Sequence, residues 1–174
     1  SGARLIGEAL DALGATSVFM PVPQVPEQIS KGVIDGAVLP FEVTRSLKIP
    51  ELVKSHTVLG GPRGLYTAVF FLGMNKAVWD GLPDDLKAIV NAAGGVPEAE
   101  RIGALWDQRE KEGLQEAIDA GNTIIYLDAA ETQRWVEKTQ PVTDKWIADM
   151  NAAGHDGAKY LAEALRLIDK YSPQ

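Results

Sequence analysis

The feature that most constrains the fold is an apolar run of ten residues, Leu65 to Met74, interrupted only by Tyr66, Thr67 and Gly73. A membrane-spanning helix needs about 20 apolar residues, so the run is about half as long as a span requires. It reads instead as a buried strand, entered from the turn Gly60-Gly61-Pro62-Arg63-Gly64. The rest of the chain supplies material to cover a strand. Its 174 residues, 45% apolar and 24% charged, suit one globular domain or two small lobes and are too apolar for a disordered tail.

Periodicity places further elements on either side. Leu5, Ile6, Ala9, Leu10 and Leu13 form one helical stripe, which Gly14 stops. Thr16 to Met20 is a short β-prone run, closed by Pro21, Pro23 and Pro26. A short helix around Glu27 to Lys31 ends at Gly32, and Val33 to Leu39 reads as a buried strand halted by Pro40. Phe41 to Val53 predicts helical turns broken by Pro50, followed by a strand at Ser55 to Leu59. A single helical turn covers Asn75 to Asp80, and Leu82-Pro83-Asp84-Asp85 opens a helix that reaches Ala93.

Pro97 to Ala120 carries apolar residues at helical spacing over about six turns, and Thr123 to Leu127 is a strand. Asp128 and Glu131 make a capping box for the next helix, which Pro141 should kink or divide. A last helix spans about Asp156 to Lys170. The expected organisation is an α/β lobe over 1–80 and a helical extension over 81–174 whose one strand returns to the sheet. Trp79, Trp106, Trp135 and Trp146 lie on the predicted helices and read as core or lobe-interface residues.

Several chemistries lack their residues. A net charge of −7 with scattered basic residues disfavours nucleic acid and anionic bilayers. Without cysteine there are no disulfides, thiolate nucleophiles or thiolate metal sites. His56 and His155 have no acid or second histidine one helical turn away to form a metal face, and no Gly-x-Ser-x-Gly elbow is present. Asp84/Asp85 and Glu98/Glu100 sit near helix starts, where the dipole accounts for them. Two strand-to-helix junctions remain, Val22 to Pro26 and Ala37 to Glu42, at the edge of an α/β sheet where ligands usually bind.

Three segments in order carry a resemblance: Glu8-Ala9-Leu10 through Leu13-Gly14-Ala15, Phe19-Met20-Pro21-Val22-Pro23, and Lys31-Gly32-Val33-Ile34-Asp35-Gly36-Ala37. Together they resemble the solute-binding proteins of TRAP transporters, the DctP-like family. Phe71 to Trp79, with Met74-Asn75-Lys76 and then Leu82-Pro83-Asp84-Asp85-Leu86, is similar to that family's strand and following Trp-x-x-Leu-Pro segment. The acidic helix from Asp128 fits its C-terminal region, so the resemblance covers nearly the whole chain.

The resemblance implies the second lobe of a periplasmic-binding-protein fold, α/β with a helical C-terminal extension. Such a protein is periplasmic, closes on a small organic acid and hands it to membrane permease subunits. Neither catalysis, a cofactor nor a metal is implied. Another α/β lobe, and a carboxylate-binding arginine in an Arg-x-Pro motif, are expected ahead of Ser1. No signal peptide opens the chain, so one is expected only further upstream.

Carried over by position, the family's aromatic contact falls on Val22, beside Pro23, and the asparagine before its Asp-Gly-x-x-x-Pro proline falls on Leu39. With Phe41 alongside, these departures imply a ligand with an apolar or aromatic body and one carboxylate. A sugar acid would leave hydroxyls unpaired against Leu39, at roughly 1–3 kcal/mol each. Tyr66 and Thr67 are the expected polar contacts, and Arg63 or Arg4 the neutralising cation. Glu42 is expected either outside the pocket or accepting a donor from the ligand.

One lobe is half a pocket, so the chain alone is expected to bind weakly and to self-associate through the apolar face another lobe would cover. Two other readings stay open. One is a small α/β enzyme using Glu42 or Asp35 as general base on a carboxylate substrate. The other is an interaction module that exchanges its tryptophan-bearing helices.

Overall fold

A computed structural model describes residues 2–61 and 64–171. The chain divides into two compact units, one of Ser1–Pro21, Thr57–Thr67 and Ile124–Gln174, the other of Val22–His56 and Ala68–Thr123. The apolar stripe after Ser1 forms α1 (Gly2–Leu13). Gly14 ends it at φ +99°, with its N–H bonded to the Asp11 carbonyl and the Ala15 N–H reaching back to Leu10.

In the first unit α1 packs on α7 (Ala129–Ala152), and α7 on α8 (Gly157–Tyr171). The Glu131 N–H donates to Asp128 Oδ1 at 2.7 Å, which is half of the expected capping box. The Glu131 carboxylate turns to Arg134 and to Trp135 Nε1 instead of returning to the cap. Helix α7 carries Pro141 in its interior and is not divided there. A missing N–H costs one bond, whereas the turns on both sides belong to a helix packed on α1 and α8.

The second unit holds α2 (Val25–Ser30), α3 (Phe41–Ser46), a 3₁₀ turn at Ile49–Glu51, α4 (Lys76–Gly81), α5 (Asp84–Ala92) and α6 (Gly95–Asp119). Asn75 caps α4, its Oδ1 accepting from the Ala77 and Val78 N–H groups. Val25, Ile49, Pro50, Thr44, Gly113 and Ala117 are buried here. The four tryptophans expected as core are half-buried, with Phe70 meeting Trp106 edge-on at 4.2 Å.

Two of the expected strands pair: β1 (Ser55–Val58) and β2 (Thr123–Tyr126). The Thr123 N–H bonds the Lys54 carbonyl and the Leu127 N–H the Val58 carbonyl, both at 2.9 Å, a register that makes the strands parallel. The boundary between the units falls inside both strands.

Three other expected strands are corrected by the structure. Thr16–Met20, Val33–Leu39 and Tyr66–Met74 have no ladder partner among the described residues and form no strand. Nor is the longest of them buried: Val69, Phe71 and Leu72 are 80, 90 and 101% exposed. Apolarity specifies that a segment suits a sheet interior, but the strand exists only when a neighbouring backbone supplies its hydrogen bonds. No described helix is long and apolar enough to cross a membrane.

Candidate functional site

The clearest geometry lies in the second unit, where an extended segment through Leu39 and Pro40 turns into α3. Pro40 occupies the N-cap position with extended backbone, φ −69° and ψ 151°, so Phe41 and Glu42 begin the first helical turn. The Glu42 backbone N–H, one of the donors a helix start leaves without an internal partner, donates to Glu110 Oε2 at 2.8 Å. The Thr44 hydroxyl, 3% exposed, donates to the Phe41 carbonyl at 2.8 Å. Gly113 lies against that same carbonyl so closely that any side chain on α6 at this point would collide with it.

The Phe41 ring rests on His56 of β1 with ring centres 5.2 Å apart. His56 Nε2 lies 2.9 Å from Asn122 Oδ1, and Asn122 Nδ2 donates to the Pro50 carbonyl at 3.2 Å. A carbonyl can only accept, so the Asn122 amide has one orientation, and its oxygen requires the proton on His56 Nε2. A ring, an imidazole, an amide and a backbone carbonyl thus fix where Phe41 stands.

A cluster of charges joins α3 to α6 on the exposed side. Arg45 reaches Glu112 at 2.7 Å and Glu116 at 2.9 Å, and Arg109 reaches Glu112 at 3.0 Å. A hydrogen bond from Gln108, together with the charges of Arg109 and Arg45, holds the Glu112 carboxyl below the usual carboxylate range against a weaker desolvation. Being exposed, these pairs orient α3 more than they stabilise it.

The structure distributes the sequence-derived site residues between the units. Val22 and Pro23 are exposed in a 3₁₀ turn, Val22–Gln24, that runs into α2, while Leu39, Phe41 and Glu42 are half-buried at the start of α3; all belong to the second unit. Tyr66, half-buried, and Thr67, exposed, belong to the first. Arg63 lies outside the described residues. Arg4, the other candidate cation, pairs with Glu8 at 3.3 Å and with Asp149 at 3.8 Å, so its charge already has partners within the first unit.

The supporting residues escaped sequence reasoning. His56 and Asn122 are 66 positions apart, and so are not linked by any local spacing. Gly113 did leave a trace, since glycine inside a long helix costs about 1 kcal/mol against alanine and so calls for a packing reason. A shallow cleft in the first unit, about 270 Å³ and lined by Leu13, Glu131, Arg134, Trp135 and Lys138, contains none of the candidate residues. No three metal-ligating side chains converge among the described residues.

Comparison with known proteins gives this geometry its setting. Residues 2–149 match the family described as bacterial extracellular solute-binding protein, family 7, DctP. The C4-dicarboxylate-binding periplasmic protein DctP of Rhodobacter capsulatus is 30% identical over 150 residues, 86% of this chain and 44% of that protein. A marine-metagenome TRAP solute-binding protein specific for aromatic acid ligands, solved with 3-hydroxybenzoate, is 41% identical with a TM-score of 0.91, covering 98% of this chain and 53% of that one. A TRAP solute-binding protein from Rhodoferax ferrireducens, solved with copurified benzoate, is 39% identical with a TM-score of 0.90, covering 97% and 53%.

The chain therefore spans about half the length of the relatives it matches. The expected α/β architecture of a TRAP solute-binding lobe agrees with these structures, although among the described residues strand pairing is limited to β1 and β2. With the family match running through both units and the likeness extending over nearly every residue, the chain belongs to the DctP family of bacterial extracellular solute-binding proteins.

Proposed function

We propose that this chain is part of a periplasmic TRAP solute-binding protein that captures an aromatic carboxylate and passes it, chemically unchanged, to membrane permease subunits. The observation that carries the reading is identity of 39–41% over 97–98% of the chain with two proteins solved around benzoate and 3-hydroxybenzoate. The local chemistry agrees. Val22, Leu39 and Phe41 offer apolar contact at the two junctions singled out by the sequence, and His56 with Asn122 fixes the Phe41 ring. An aromatic ring gains from such surfaces, whereas extra ligand hydroxyls would lose their water without gaining partners.

In this reading Val22, Pro23, Leu39 and Phe41 face the ligand body. Tyr66 and Thr67 supply polar contacts, Arg63 supplies charge, and Glu42 accepts a donor on the ligand ring. The organic acid is held, not converted, so no general base is assigned to Glu42 or Asp35.

The test is calorimetry on two samples, the 174-residue chain and a hybrid in which this chain replaces the matching part of the marine relative. The hybrid should bind benzoate and 3-hydroxybenzoate at least about tenfold more tightly than succinate, and the chain alone much more weakly than the hybrid. A preference for succinate would assign the site to C4-dicarboxylates instead. Recovery of a chemically altered ligand, lost in Glu42→Gln, would establish the enzyme reading.

A further inference from the structure

The dipeptide Asp-Gly occurs three times, at Asp35-Gly36, Asp80-Gly81 and Asp156-Gly157. Such a pair can react within the chain itself, because glycine has no Cβ to obstruct its amide nitrogen or to restrict the backbone around it. The nitrogen attacks the aspartate Cγ. A C–N bond forms and a C–O bond breaks, the side-chain OH leaving with the amide proton as water, and a succinimide ring closes. Water then opens the ring at either carbonyl. Opening at Cγ restores aspartate, whereas opening at the main-chain carbonyl leaves isoaspartate, with the backbone routed through Cβ and Cγ. The only co-reactant is water.

The fold restrains two of the three pairs. Asp80 and Gly81 are the last residues of α4, so helical dihedrals separate the nitrogen from the carboxylate, which Lys76 Nζ also holds at 2.6 Å. Asp156 stands just ahead of α8, where its Oδ1 accepts from the Lys159 N–H at 2.9 Å. The Gly157 N–H donates to Asn151 Oδ1 at 3.0 Å, and Gly157 is buried against the Ile147 backbone. Its nitrogen and its neighbour's carboxylate are both engaged elsewhere.

Asp35-Gly36 has neither restraint. Gly32, at φ +66°, ends α2, and the Val33 and Ile34 N–H groups both turn back to the Gln28 carbonyl. The local bonding stops there. Among the described residues the Asp35 carboxylate has no hydrogen bond or ion pair and the Gly36 N–H no acceptor. A Cβ on Gly36 would meet nothing within 4 Å.

We infer that Asp35-Gly36 is a site of spontaneous covalent modification in the folded chain, passing through a succinimide to isoaspartate while Asp80-Gly81 and Asp156-Gly157 stay intact. The lengthened backbone enters the segment that runs through Leu39 and Pro40 into α3. The restraints on each pair come from residues close by in the chain, so the ranking holds whichever acid is bound.

The test incubates the chain for weeks at physiological temperature in heavy-oxygen water, one sample folded and one unfolded in urea. Each cycle of closure and opening brings one solvent oxygen into the aspartate, and peptide mapping by mass spectrometry reads both label and isoaspartate at each pair. In urea the three pairs should convert at similar rates. In the folded chain Asp35-Gly36 should keep nearly its unfolded rate, while the other two slow about tenfold or more, equivalent to a barrier raised by about 1.4 kcal/mol. Gly36→Ala should slow conversion at Asp35 about tenfold and leave the circular dichroism unchanged. The hybrid should show the same ranking. Equal conversion of the three pairs in the folded chain would overturn the assignment. So would protection of Asp35-Gly36 in the chain or the hybrid, or undiminished conversion in Gly36→Ala.

Discussion

Two segments of the second unit begin from the same kind of sequence and end in opposite environments. Phe41–Ser46, entered through an apolar stretch and Pro40, packs on α6 with Thr44 enclosed, Gly113 against its first carbonyl and Glu110 on its first free N–H. Ala68–Met74 is more apolar, yet Leu72 is fully exposed and no described strand pairs with it. The difference is one of partners. The covering surface for α3 lies on α6, within the chain, whereas the run is covered only at Phe70, against Trp106, and leaves Val69, Phe71 and Leu72 exposed. Hydrophobicity indicates which residues leave water when they can, and chain connectivity decides whether they can.

The contrast can be tested by perturbing each segment in turn. The largest effect is expected from Gly113→Val, which drives a side chain into the Phe41 carbonyl. Backbone cannot yield as a flexible side chain does, so urea denaturation should show a loss of about 3 kcal/mol. Asn122→Leu comes next. It leaves His56 Nε2–H and the Pro50 carbonyl without their partner in a half-buried setting, for a loss of about 2 kcal/mol. The Phe41 ring should also lose its fixed position, seen as averaged aromatic proton shifts in NMR spectra.

Thr44→Val keeps the shape of a buried side chain and removes one hydrogen bond to the Phe41 carbonyl, for about 1 kcal/mol. A smaller effect is expected from acid. The Glu112 carboxyl is held below its ordinary range in the folded state, so its contribution is complete above the unfolded carboxylate pKa, about 4.3. That contribution is lost as pH falls through the lower folded value. Urea midpoints should therefore drop from pH 6 to pH 3 less in Glu112→Gln than in the unmodified chain. The smallest change belongs to the other segment: Leu72→Asp should leave the stability of the chain within about 0.5 kcal/mol, because nothing described covers that side chain. A loss comparable to that of Gly113→Val would mean the run is packed within this chain, and the comparison would fail.

Much of the local structure was readable because its causes are local. The stripe Leu5 to Leu13 and the stop at Gly14 determine α1 within about one turn of sequence, and Asp128 announces α7 through a bond to a residue three positions away. Asn75 caps α4 in the same way. Pro141 misled for the complementary reason: its cost is local, but packing along the whole of α7 outweighs it.

The candidate site was legible only in part. Val22, Leu39, Phe41 and Glu42 could be put forward as candidates because junctions after apolar runs and prolines are visible in a sequence. Residues that hold Phe41 in place could not. Glu110 and Asn122 come from 68 and 66 positions beyond their partners, and nothing local pairs them.

The amino-acid sequence by itself determined where helices start and stop, which segments suit a sheet, and the family to which the chain belongs. These follow from capping, periodicity and the order of motifs, all of which act over a few residues. Only the tertiary structure decided that Ser55–Val58 and Thr123–Tyr126 pair in parallel while Ala68–Met74 finds no ladder partner among the described residues, and that α3 rests on Gly113. A ladder and a packed surface each need two partners, and whether the second is within reach is a property of the folded chain as a whole.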